Sequence, residues 1–210
     1  MDWIARGGML MWPIILFSVI ALGVFLERIW VLRKDQVLPE GDLKEIDALL
    51  RRGMISEVKM FCQRRSSPIA RIVFAGFQQH GASRAIIKEN MEERGKTEAL
   101  ELKKRIGLLH TIASICPLVG LLGTVNGMIK VFDALSIEGV GNPGSFAGGI
   151  SEALITTAAG LTVAIPAFLA QRYLASRAER SIHMLEEFAT YLLNFNPETA
   201  WTEDAEKEGQ

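Results

Sequence analysis

The sequence predicts an all-α integral membrane protein with three transmembrane helices. The second and third extend into the cytoplasm as long helices, and short cytoplasmic helices complete the chain. Three observations carry this reading: apolar residues are segregated into three runs of spanning length, charge is concentrated between the first two, and the intervening segments have helical rather than alternating periodicity. The bulk figures, 210 residues with 49% hydrophobic and 22% charged, would suit a soluble domain, so it is the distribution that decides. A mean hydropathy of +0.21 agrees with it.

The first run, Met9 to Leu26, has 18 residues without a charge. At the α-helical rise this spans about 27 Å, close to the thickness of a hydrocarbon core. A signal peptide would place its basic end first and follow the apolar run with a small-residue cleavage site. Here only Arg6 precedes the run, while Glu27, Arg28, Arg33 and Lys34 follow it. Residues 1–32 are therefore read as an outside N-terminus and a first transmembrane helix.

Residues 33–105 read as a cytoplasmic helical region. Leu43, Ile46, Leu49 and Leu50, then Ile69, Ile72, Val73, Phe74 and Phe77, recur at helical spacing, with breaks at Pro39-Glu40-Gly41, Gly53 and Ser66-Ser67-Pro68. From Ala82 to Arg105 no proline intervenes, so one helix is expected to run unbroken into the second membrane span. That span is assigned to 106–131, a short outer loop to 132–146 and the third span to 147–170. A cytoplasmic helical extension follows over 171–197, expected to pack on the segment after Ala82. The last stretch, 198–210, carries five acids and is read as a disordered tail.

Orientation follows from the basic residues: 33–105 holds 16 of the 23, and 132–147 holds none. The positive-inside rule then places the N-terminus outside and the C-terminus in the cytoplasm.

Several function classes drop out. Basic and acidic residues are interleaved, with a net charge of -1, so no nucleic acid partner is expected. Cys62 and Cys116 stand far apart, His80, His110 and His183 are scattered, and no cluster has metal-ligand spacing. No nucleophile–base pair or phosphate-binding loop is visible, so neither an enzyme nor a cofactor is expected.

What stands out is the composition of two helix faces. On the second span Ala113, Pro117, Gly120, Thr124 and Gly127 share a face. On the third Gly148, Gly149, Glu152, Thr156, Ala159, Gly160, Val163 and Ala167 do so. Small faces let helices approach closely in lipid, where apolar contact alone favours no partner, and that packing role accounts for the glycines and alanines. Glu152 is different, because a carboxylate within a span costs roughly 2.5–3.5 kcal/mol on insertion scales and normally faces a partner, a cavity or an ion path. No basic residue lies in the third span, so any counter-group is expected from another helix or another chain. The threonines could equally bond to carbonyls of their own helix.

The segments PLVGLLGTVNGMIKVF (Pro117–Phe132) and GISEALITTAAGLTVAIPA (Gly149–Ala167) closely resemble the two signature membrane helices of the MotA/TolQ/ExbB proton-channel family, in its ExbB/TolQ branch. The resemblance implies a bacterial inner-membrane homopentamer enclosing a dimer of ExbD/TolR-like single-crossing partners, each bringing a membrane aspartate. It also implies a TonB/TolA-like envelope protein as the recipient of work driven by the ion gradient. Carried over by motif, the family's polar pore positions fall on Thr124, Glu152 and Thr157. The helical wheel instead sets Thr156 beside Glu152, with Thr157 about 140° away. The short segment before Trp12 is more like the TolQ pattern than like chains with long outer leaders. TonB-type uptake, Tol-type envelope maintenance, gliding motility and a passive scaffold that moves no ion all stay open as roles.

Overall fold

In the computed structural model, which describes residues 7–79, 82–138 and 143–194, every regular element is an α-helix. In chain order these are α1 (Met11–Val31), α2 (Lys34–Val37), α3 (Glu40–Arg51), α4 (Ile55–Gln63), α5 (Pro68–Gly76), α6 (Arg84–Lys103), α7 (Ile106–Glu138) and α8 (Pro143–Asn194). They form two compact units, one of residues 1–28 and 105–174, the other of residues 29–104 and 175–210.

The first unit contains the apolar parts of α1, α7 and α8, each long and apolar enough to cross a membrane. Their outward faces keep Leu16, Val19, Leu22, Leu118, Leu121, Val125, Leu154, Ile165 and Phe168 exposed, a surface that lipid tolerates and water does not. Exposed Trp12 and Trp30 lie near the two ends of α1. Their separation corresponds to about 27 Å of helix, close to the thickness of a hydrocarbon core. Pro13 falls in the first turn of α1, where its missing N–H costs nothing. Pro117 and Pro166 lie inside α7 and α8, and both helices continue through them.

At 33 and 52 residues, α7 and α8 run beyond their apolar cores. α7 continues to Glu138 because residues 132–138 contain no glycine or proline, and α8 starts at Pro143, a residue suited to a first helical turn. The stretch read as the outer loop, 132–146, is thus helical on both sides of 139–142. The tail 198–210 lies outside the described residues.

The expected unbroken helix into the second span does not form. α6 ends at Lys103, Lys104 is extended, and Arg105 takes a left-handed φ of 63° before α7 begins at Ile106. Such a backbone costs a non-glycine residue about 1–2 kcal/mol. The Arg105 guanidinium is anchored by an ion pair to Glu27 on α1, a long-range contact that local sequence does not reveal.

In the second unit, short helices pack around Leu38, Ile46, Val58, Cys62, Ile69 and Val73, all buried. α3 ends in a Schellman motif: Gly53, at φ 73°, donates to the Leu50 carbonyl at 3.0 Å and Met54 to that of Leu49 at 3.1 Å. Ser67 caps α5 by accepting from Ala70 N–H, and its own hydroxyl donates to the buried carboxylate of Asp42 at 2.7 Å. Gly76 lets α5 approach α6, since a Cβ there would meet Met91 Cγ at 2.5 Å. Glu98 on α6, 2% exposed, is held between Arg71 at 2.5 Å and Arg94 at 2.7 Å, so its charge is buried but paired. The end of α8 joins this unit: Arg51 donates to the Tyr191 hydroxyl at 2.6 Å, which donates to Asp47 at 2.8 Å. α6 and the end of α8 line a shared groove that includes Met91, Ile182, Leu185 and Ala189.

Burial, and then the Asp42 carboxylate nearby, push the Cys62 thiol up to about 12. Below that pH the reactive thiolate is scarce. Cys62 should therefore resist maleimide at neutral pH in the folded protein and react fully once denaturant exposes it, as followed by mass spectrometry.

Candidate functional site

The site grows out of an antiparallel seam between α7 and α8. In lipid two helices gain little from apolar contact, so a close pair has to be built from backbone approach and polar contacts. On α7 the buried line is Cys116, Gly120, Gly123, Gly127 and Val131, and on α8 it is Gly149, Ala153, Thr156, Gly160, Ala164 and Ala167. A Cβ on Gly160 would stand 2.6 Å from the Cys116 carbonyl oxygen, and one on Gly127 2.7 Å from the Gly149 carbonyl oxygen. At Gly123 the occupant of that space is the side chain of Thr156. Gly120 would meet the Thr157 Cα at 3.1 Å.

The packing residues expected from the sequence mostly lie in this seam: Gly120, Gly127, Gly149, Gly160 and Ala167 are buried, while Pro117 and Ala159 lie at its edge. Cys116, Gly123, Ala153 and Ala164 complete it. They escaped the helical wheel because each face was laid one step round the helix from the contact line, through Pro117 and Thr124 on α7 and through Glu152 on α8.

Glu152 lies beside the seam with its side chain 20% exposed. Its counter-group is in the same chain. Lys130 on α7 donates to Oε1 at 2.6 Å and to Oε2 at 2.7 Å, so one ammonium spans the whole carboxylate. The lysine stands one residue beyond the uncharged run that ends at Ile129, at the end of the span assigned to 106–131, on the other helix from which a counter-group was expected. Its flexible stem brings the charge back to the level of Glu152, as long basic side chains do at helix ends. Gly8, with a left-handed φ of 71°, covers another side: a Cβ at that position would collide with the Glu152 carboxylate. Only glycine fits both the backbone and the space.

The threonines separate by direction. Thr156 is fully buried, and its hydroxyl reaches the Glu152 carbonyl one turn back at 2.7 Å and the Gly7 carbonyl at 2.8 Å, tying the segment before α1 to α8. Thr157 donates across the seam to the Gly120 carbonyl at 2.9 Å. Thr124, half-buried, donates to the Leu121 carbonyl at 2.6 Å within α7. Both threonines touch α7, Thr156 at Gly123 and Thr157 at Gly120, but their hydroxyls take different partners, the Gly7 and Gly120 carbonyls. Among the described residues no group of His, Cys, Asp and Glu is placed to hold a metal ion. His110 is exposed, away from Glu152 in sequence and outside the seam.

Three spanning-length apolar helices, two of them locked by a small-residue seam that carries a paired carboxylate, define a multi-pass integral membrane protein. The chain belongs to the MotA/TolQ/ExbB proton channel family, whose model matches residues 64–187. Among its relatives is a Synechocystis protein named as an ExbB-like biopolymer transport protein, 35% identical over 84% of this chain and 70% of the relative. The TolQ protein of the Tol-Pal system of Haemophilus influenzae is 32% identical over 85% of each chain. The biopolymer transport protein ExbB of Aquifex aeolicus is 34% identical over 51% of this chain and 72% of that protein. Two of these relatives are named for biopolymer transport and one for the Tol-Pal system, and with them the chain is an energiser subunit of the proton channel family rather than an enzyme.

The seam makes a direct prediction. Gly160→Leu should force α7 and α8 apart and cost about 1–3 kcal/mol, the usual penalty of overpacking. Gly148→Leu, at a position where a Cβ would meet nothing within 4 Å, should be neutral. Thermal unfolding in detergent compares the two.

Proposed function

We propose that this chain is the multi-crossing subunit of a proton-driven motor in the bacterial inner membrane, with Glu152 in the ion path and Thr124, Thr156 and Thr157 as its polar neighbours. The observation that carries the proposal is Glu152 itself, a carboxylate held by Lys130 beside a glycine-lined helix pair. A packing seam alone has no use for so expensive a group. The energy source fits: one proton crossing about 100 mV supplies roughly 2.3 kcal/mol, and the sequence has no nucleotide-binding loop to supply it otherwise.

In this reading the subunit forms a homopentamer around a dimer of ExbD/TolR-like single-crossing partners, each carrying a membrane aspartate. The N-terminus faces outside, while the second compact unit and the C-terminus lie in the cytoplasm, in keeping with the basic residues between Arg33 and Arg105. The exposed apolar faces of α1, α7 and α8 supply surface for both lipid and neighbouring subunits. Work passes to a TonB/TolA-like envelope protein, with uptake across the outer membrane as the client. The relatives named for biopolymer transport support that client. The TolQ relative, matched over 85% of both chains, supports Tol-type envelope maintenance as the second reading.

Glu152→Ala, expressed with its single-crossing partner, should abolish gradient-driven work while the complex still assembles. Full activity of that variant in a reconstituted complex would remove Glu152 from the mechanism. Proteoliposomes holding both subunits and a pH-sensitive dye should show a partner-dependent proton flux. A tight membrane with the intact partner present would favour a scaffold that moves no ion.

A further inference from the structure

The ion pair at Glu152 has a use beyond neutralising a costly charge. The carboxylate is closed on two sides, by Lys130 across both oxygens and by Gly8, whose missing side chain leaves room for it. Thr156 holds the adjoining Gly7 carbonyl, so the covering segment is tied to the helix that bears the glutamate. Lys130 itself is open, with a side chain 58% exposed. An ammonium has three N–H donors and Glu152 takes two of them, so the third is left facing outward from the pair. Among the described residues Lys130 is the cation that meets this carboxylate, and no other side chain is seen to donate to it.

An anion so held has both oxygens engaged by one ammonium. A proton that bonds to Oε1 or Oε2 removes the negative charge that holds the ammonium, which keeps its own charge and its three protons.

We propose that Lys130 is a positioning residue that keeps Glu152 paired and closed to ion traffic in the free subunit, so that the path opens only when the ammonium is drawn away. The proposal rests on the reading of Glu152 as part of the ion path. It assigns the closing element to α7 of the same subunit.

Dicyclohexylcarbodiimide, which modifies carboxyl groups in apolar surroundings, tests this on the full chain in detergent or liposomes without any partner. Wild type and Lys130→Arg should label slowly at Glu152. Lys130→Met, one atom shorter and uncharged, should label about tenfold faster, the change that an interaction of about 1.4 kcal/mol produces. Rescue by arginine is a result that a merely space-filling role would not give. In partner-free liposomes, Lys130→Met should leak protons where wild type is tight, and adding Glu152→Gln should close the leak. Should Lys130→Met fail to fold, Lys130→Gln serves in its place. Equal labelling of wild type and the neutral variants would overturn the proposal. A Glu152→Ala complex that still moves protons would overturn the ion-path reading instead and leave the labelling difference standing, so the two failures are distinguishable.

Discussion

The membrane part of this protein depends on the close approach of α7 and α8. Their backbones come so near that a single added Cβ at Gly127 or Gly160 would fall within 2.7 Å of a carbonyl oxygen on the opposite helix. In water a core of leucines would hold two helices together, but between helices in lipid it would have no advantage over the lipid itself. The glycines substitute dispersion contact and polar backbone contact for the hydrophobic effect. The cross-seam bond from Thr157 to the Gly120 carbonyl follows from that proximity, because a threonine hydroxyl has little reach of its own.

The same proximity explains how a carboxylate is tolerated at Glu152. An isolated ion in an apolar span is expensive, and a paired one is much less so when the geometry is good. The approach of the helices puts Lys130 and Glu152 within reach of each other and lets a single ammonium serve both oxygens. Gly8 and Thr156 then enclose the pair from the side of α1. The second unit handles its buried charges by a similar rule, with Glu98 held between two arginines and Asp42 by Ser67 and Arg65.

Much of the fold was legible beforehand because membrane solvation writes itself into composition. Eighteen uncharged residues from Met9 to Leu26, and the glycine-rich runs around Gly120 and Gly160, have few physical meanings other than a crossing. The family was legible in the runs Pro117–Phe132 and Gly149–Ala167, whose small residues form the seam in this chain. Less legible were the features set by contacts distant in sequence. The break at Lys104–Arg105 contains neither glycine nor proline, and its stabilising ion pair is with Glu27. The buried line through Ala153 and Ala164 differs from the wheel's face because a projection shows which residues share a side, while the neighbouring helix determines which side is used.

By itself the sequence determined the class of molecule: three crossings, small-residue faces, and an expensive carboxylate on the third. These are local properties, set by the preference of each segment for lipid or water and by the helical period. Only the tertiary structure decided what meets what. It paired Glu152 with Lys130, turned Thr156 toward Gly7 and Thr157 toward Gly120, and gave Gly8 its place against the carboxylate. The physical reason is that pairing depends on the relative register of two antiparallel helices. That register is settled by the glycine contacts between them, a property of the pair that neither helix carries alone.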